Sequence, residues 1–114
     1  MKVKDVVAAL EAIAQESRLG IYRLLAQAGP EGLAAGRIAE RLKLPAPTLS
    51  FHLAQLKRCG LVTCEREGTS LIYSANFETM NEIVGYLTEN CCGRGVQCAP
   101  VCEVTAPRTR RRAA

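Results

Sequence analysis

Between Pro47 and Gly60 the chain carries Leu49, Leu53 and Leu56, spaced four and three apart, so that a helix there has one apolar stripe. The boundaries are as constraining as the stripe. Pro47 suits a first helical turn, where its missing donor costs nothing, and Gly60 suits the residue that ends a helix. The other side is assigned Thr48, Ser50, Phe51, His52, Gln55 and Arg58. A helix of this kind packs on a domain by one edge and leaves a polar face to meet something else.

The flanking segments narrow what that something is. Val3, Val6, Val7, Leu10 and Ile13 predict an amphipathic helix over about 3 to 15. Ser17 is the expected N-cap of a second helix lined by Ile21, Leu24, Leu25 and Ala28. Gly29-Pro30-Glu31-Gly32 breaks it, and a short third helix follows over about 34 to 42, with Ile38 and Leu42 inward. After Gly60 come two strands, Leu61 to Arg66 and Leu71 to Ala75, turned by Glu67-Gly68-Thr69-Ser70. Phe77, Met80, Ile83, Val84 and Leu87 then line a last helix ending near Asn90.

Helix, short turn, helix and hairpin make a mainly α chain with a small β-hairpin, in the order of a winged helix-turn-helix. The second helix of the pair is the expected DNA reader. Thr48, Ser50, Phe51, His52 and Gln55 are the candidates for base edges and nearby phosphates, and Lys57, Arg58 and Arg66 suit phosphate contact.

Charge alone does not make that case. The chain of 114 residues has net charge +4, from 15 basic and 11 acidic side chains. Four of the basic ones are Arg108, Arg110, Arg111 and Arg112, and setting them aside leaves eleven against eleven. The body is neutral, so a DNA-binding face requires local placement of charge. Apolar residues, 48% of the chain, never run long enough for a membrane span. The amino terminus lacks a signal-peptide core, which predicts a cytoplasmic protein with reduced thiols. A chain this small gains from dimerisation. No nucleophile–base pair, phosphate loop or carboxylate dyad points to an enzyme.

Four of the six cysteines, Cys91, Cys92, Cys98 and Cys102, fall within twelve residues just past the last helix. Thiolates select soft metals and metalloids. Cys91 and Cys92 are about 100° apart on a helix, so they converge only where the helix ends, and Gly93 and Gly95 let the chain turn back to bring in Cys98. Three thiolates suit pyramidal As(III) or Sb(III). Four, with Cys102 included, suit a tetrahedral structural Zn(II), for which an adjacent Cys-Cys pair is awkward. Two suffice for a methylated trivalent arsenical or a redox or persulfide switch, against which stand the helix C-terminus and the strain of a vicinal disulfide. Cys59 and Cys64 are read as small packing residues.

The stretch Thr48-Leu49-Ser50-Phe51-His52-Leu53-Ala54-Gln55-Leu56-Lys57-Arg58-Cys59-Gly60-Leu61-Val62 resembles the recognition-helix signature of the ArsR/SmtB family. Glu16-Ser17-Arg18-Leu19 with Ile21 and Leu24-Leu25 is similar to its second helix. The resemblance covers about residues 5 to 90. It implies a homodimeric winged-helix repressor released from operator DNA by an inducer, with Ser50 and His52 on the reading helix and the hairpin as wing. The Cys-x-Cys site of one family branch is missing from Leu33 to Ile38. The Asp and His site of another is missing from Phe77 to Asn90. Tyr86 to Cys92, followed by Cys98, resembles an arsenic-responsive branch with a relocated three-cysteine site. Three segments are therefore expected: 1–90 for DNA binding and dimerisation, 91–105 for the inducer, and 106–114 as a disordered basic tail.

Overall fold

The computed structural model describes residues 2–89. It divides into two compact units, Met1–Asn76 and a second beginning at Phe77. The first contains α1 (Val3–Ile13), α2 (Glu16–Ala28), a 3-10 turn (Gly29–Glu31), β1 (Leu33–Ala34), α3 (Ala35–Leu42), α4 (Ala46–Arg58), β2 (Val62–Glu67) and β3 (Ser70–Ala75). α5 (Phe77–Leu87) is the helix described in the second.

Helix ends follow local chemistry. The N-cap of α2 is Gln15, whose side chain accepts from the Arg18 backbone N–H at 2.9 Å. This corrects the expectation of Ser17, which sits inside the first turn because the longer Gln side chain reaches the open donor from two residues earlier. α3 stops before Lys43, which is left-handed (φ 56°), and Pro45 disfavours helix at Leu44. α4 ends in a Schellman pair. Leu61 N–H donates to Leu56 O at 3.0 Å and Gly60 N–H to Lys57 O at 3.0 Å, with Gly60 at φ 80°.

The core of this first unit is built from Ile21, Leu25, Ile38, Leu53, Leu56, Leu61 and Val62, all fully buried. Each such side chain contributes about 1.5–3 kcal/mol relative to exposure. α4 packs against α1, α2, α3 and β2, so its apolar edge is gripped from several sides.

Two sequence expectations change here. The sheet has three strands in the order β1-β3-β2, all antiparallel, and β1 pairs Leu33 with Tyr73 and Ala34 with Ile72. The expected hairpin is its larger part, with Val62 opposite Ala75 and Glu67 opposite Ser70. α1 buries Val6, Ala9 and Ala12, whereas Val3, Val7 and Leu10 are exposed. Alanines line the inner edge and larger side chains the outer one, so the helix has two apolar edges.

α5 is shorter than expected. It ends at Leu87, and Thr88 Oγ1 donates to Val84 O at 2.8 Å, closing its last turn. Ile83 is buried, while Tyr86 and Leu87 are exposed. Among the described residues no helix is long and apolar enough to cross a membrane.

Candidate nucleic-acid interface

The three residues Lys43, Leu44 and Pro45 join α3 to α4, and a helix pair so joined, followed by the β2–β3 hairpin, is a winged helix-turn-helix. α4 presents Thr48, Ser50, Phe51, Ala54, Lys57 and Arg58 to solvent, with Gln55 half-buried. Phe51 is 58% exposed, a large aromatic standing on an otherwise small and polar face. Ser and Thr hydroxyls, the Ala54 methyl and an aromatic edge are suited to base edges and thymine methyls, while Lys57 and Arg58 suit phosphates. The two cations also complement the carboxyl-terminal end of the helix.

His52 is corrected. Expected on the outward face with Ser50 and Phe51, it is instead buried, at 9% exposure. It lies three residues after Leu49 and four before Leu56, on the buried stripe. Its Nδ1 is 3.3 Å from Arg18 Nη1, and its ring meets Phe51 edge-on with centroids 5.7 Å apart. Burial first, and the Arg18 charge second, hold its pKa below the ordinary histidine range.

Arg66 is exposed on β2, with Leu71 opposite it on β3. Alternation puts Arg66 on the strand face shared with Val62 and Cys64, and Glu65 and Glu67 on the other. The wing thus offers one cation beside two carboxylates. Arg37, Arg41 and Lys43, which no motif of the sequence singles out, are exposed on α3 and the turn after it. The first helix of such a pair crosses the DNA backbone, so its cations are phosphate candidates. The Arg37–Glu40 pair at 3.7 Å is too exposed to hold either side chain firmly.

Cys59 and Cys64 are half-buried, as small packing residues are. Cys59 Sγ donates to Ala8 O at 3.5 Å, and Cys64 is the cross-strand partner of Tyr73. Burial, and then the contact with Cys64, raise the Tyr73 phenol above its ordinary range. Cys91, Cys92, Cys98 and Cys102 lie outside the described residues. Among the described residues no group of three or more His, Cys, Asp or Glu is placed to hold a metal ion.

Comparison with known proteins agrees with this geometry. A helix-turn-helix domain family matches residues 13–65. The chain is 35% identical over 79 residues to an HTH-type transcriptional regulator of Methanocaldococcus jannaschii, covering 69% of this chain and 86% of that protein. It is 33% identical over 86 residues to the transcriptional activator HlyU of Vibrio cholerae, covering 75% and 77%. Among solved structures, HlyU from Vibrio cholerae superimposes with TM-score 0.61 at 33% identity, over 81% of this chain and 99% of that one. The homodimeric winged helix-turn-helix DNA-binding domain of a possible ArsR-family regulator from Mycobacterium bovis gives TM-score 0.59 at 36% identity. That match covers 64% of this chain and 65% of the Mycobacterium bovis chain, slightly under two thirds of each. The fold and the exposed α4 face define a helix-turn-helix transcriptional regulator. The chain belongs to the HTH-type transcriptional regulators, and among them it is similar to the possible ArsR-family regulator of Mycobacterium bovis.

Proposed function

We propose that the protein is a homodimeric repressor that reads operator DNA through α4 and is released when As(III) or Sb(III) binds Cys91, Cys92 and Cys98. The observation that carries the DNA half is the outward face of α4. Thr48, Ser50 and Phe51 are exposed there while Leu49, Leu53 and Leu56 anchor the helix. In a two-fold dimer the two reading helices enter successive major grooves, about 34–36 Å apart.

Dimerisation is supported by the outer edge of α1, where Val3 is 59% exposed and Val7 46%. The homodimeric Mycobacterium bovis domain supports it as well. The direction of control rests on the family resemblance, since the similar proteins include both the activator HlyU and the repressor PagR of Bacillus anthracis.

The inducer half rests on thiol chemistry. Cys91 and Cys92 follow α5 within a few residues, and three sulfurs match the pyramidal preference of a trivalent metalloid. A coupling of about 1–3 kcal/mol between that site and α4 shifts DNA affinity by roughly 5- to 150-fold. A thiol redox switch is the second reading, favoured by a similar structure, that of reduced HlyU from Vibrio cholerae. Structural zinc would add Cys102 to those three cysteines, and a methylarsenite response needs only Cys91 and Cys92.

Fluorescence anisotropy of a duplex selected by the protein from a random pool separates these readings. As(III), Zn(II) and an oxidant are titrated in parallel under otherwise reducing conditions. Release by As(III), lost in Cys91→Ser, Cys92→Ser and Cys98→Ser but kept in Cys102→Ser, is the expected result. Release by oxidant with indifference to As(III) removes the metalloid site and leaves the redox switch.

A further inference from the structure

We infer that Arg18 is a positioning residue for DNA reading, which ties α4 to the end of α1 through Nδ1 of His52. Arg18 Nε donates to Ala12 O, in the last turn of α1, at 2.6 Å, and Nη1 donates to His52 Nδ1 at 3.3 Å. The direction is forced because a guanidinium has donors and no acceptor. Nδ1 therefore carries the lone pair, and the ring proton is on Nε2. The backbone of Arg18 is itself held, its N–H donating to Gln15 Oε1 at 2.9 Å. One side chain thus joins the end of α1 and the start of α2 to the middle of α4.

The leucine stripe of α4 cannot do this alone. Leu49, Leu53 and Leu56 set which face of α4 is buried, but apolar burial is non-directional and leaves small rotations about the helix axis cheap. A hydrogen bond to a ring nitrogen fixes rotation. His52 directly follows Phe51 and lies two residues after Ser50, so a turn of the helix that breaks the Arg18 contact carries both outward residues with it. The edge-on packing of Phe51 against the His52 ring (5.7 Å, 63°) extends the restraint to the exposed aromatic. The consequence for DNA rests on the reading of α4 given above; the Arg18–His52 contact does not.

His52 is the only histidine of the chain, so its ring nitrogens give unambiguous NMR signals. The test uses full-length wild type, Arg18→Met, Arg18→Lys, His52→Leu, His52→Asn and the Arg18→Met/His52→Leu pair. Ring tautomer, chemical denaturation and affinity for the selected duplex are measured on each. Wild type is expected to show unprotonated Nδ1, and Arg18→Met a mixture of tautomers. Arg18→Met and His52→Leu each lose about tenfold in affinity, in the range of one charged hydrogen bond. The double variant loses no more than either single one. His52→Asn, whose Oδ1 takes the place of Nδ1, recovers most of the loss at equal stability. Protonated Nδ1 in wild type, losses that multiply in the double variant, or wild-type affinity in folded Arg18→Met and Arg18→Lys overturns the inference. If the random pool yields no selected duplex, the DNA reading of α4 fails, and the tautomer measurement still decides the contact.

Discussion

Gly32 lies so close to the backbone carbonyl of Tyr73 that a methyl group on its α-carbon would overlap the oxygen and crowd Ser74 Oγ. Its backbone, at φ 72° and ψ −170°, is in a region open essentially to glycine alone. Both conditions come from one structural event, the docking of β1 beside β3 at the Leu33–Tyr73 pair.

Gly32→Ala therefore carries a conformational and a steric cost together. The backbone part alone is about 1–3 kcal/mol. Chemical denaturation should show a loss of at least about 2 kcal/mol, with unfolding still cooperative. A variant as stable as wild type would mean that β1 does not sit against Tyr73 in solution.

Sequence and structure agree where the signal is local. Leu49, Leu53 and Leu56 with Gly60 after them define α4, because helical period and the Schellman turn are both short-range. β1 was invisible because two residues carry no alternation, and its trace is the close approach at Gly32. His52 was readable in part. Its spacing from Leu49 and Leu56 puts it on the buried stripe, but its polarity argued for the surface, and Arg18, its partner, is 34 residues away. The two apolar edges of α1 read as a single stripe in the sequence because Ala9 and Ala12 fill the inner edge with little hydrophobic weight. For the thiol segment, chemistry speaks only through Cys91, Cys92, Cys98 and Cys102 in the sequence, beyond the described residues.

Acid should weaken the fold through His52. Burial, then Arg18, lowers its pKa in the folded state below the unfolded value of about 6.5. Above that value both states are neutral and the residue adds no pH dependence. As pH falls below it, the unfolded chain takes up the proton first, so stability drops until the folded pKa is passed. Denaturation midpoints compared between about pH 7.5 and about pH 5.5 should fall further for wild type than for His52→Asn. Parallel curves would show that the ring is not held neutral by the fold.

The outer edge of α1 should be a contact between subunits. Val3, Val7 and Leu10 are spaced four and three apart on a helix and exposed together. A carboxylate in such a contact is buried without a partner, which costs several kcal/mol. Sedimentation should find wild type dimeric and Val7→Glu monomeric at the same concentration, with the helical content retained. A Val7→Glu dimer as tight as wild type would place the interface elsewhere.

DNA reading by α4 is tested most directly by the affinity of Phe51→Ala, Ser50→Ala and Lys57→Ala for the selected duplex. A lost base contact costs about 1–3 kcal/mol. Phe51→Ala and Ser50→Ala should therefore bind the selected duplex about 5- to 150-fold more weakly. Their binding to a scrambled duplex should stay near that of wild type. Lys57→Ala should weaken both duplexes alike and lower the salt slope by about one. Wild-type affinity and preference in Phe51→Ala and Ser50→Ala together would contradict the assignment and move DNA contact off this helix face.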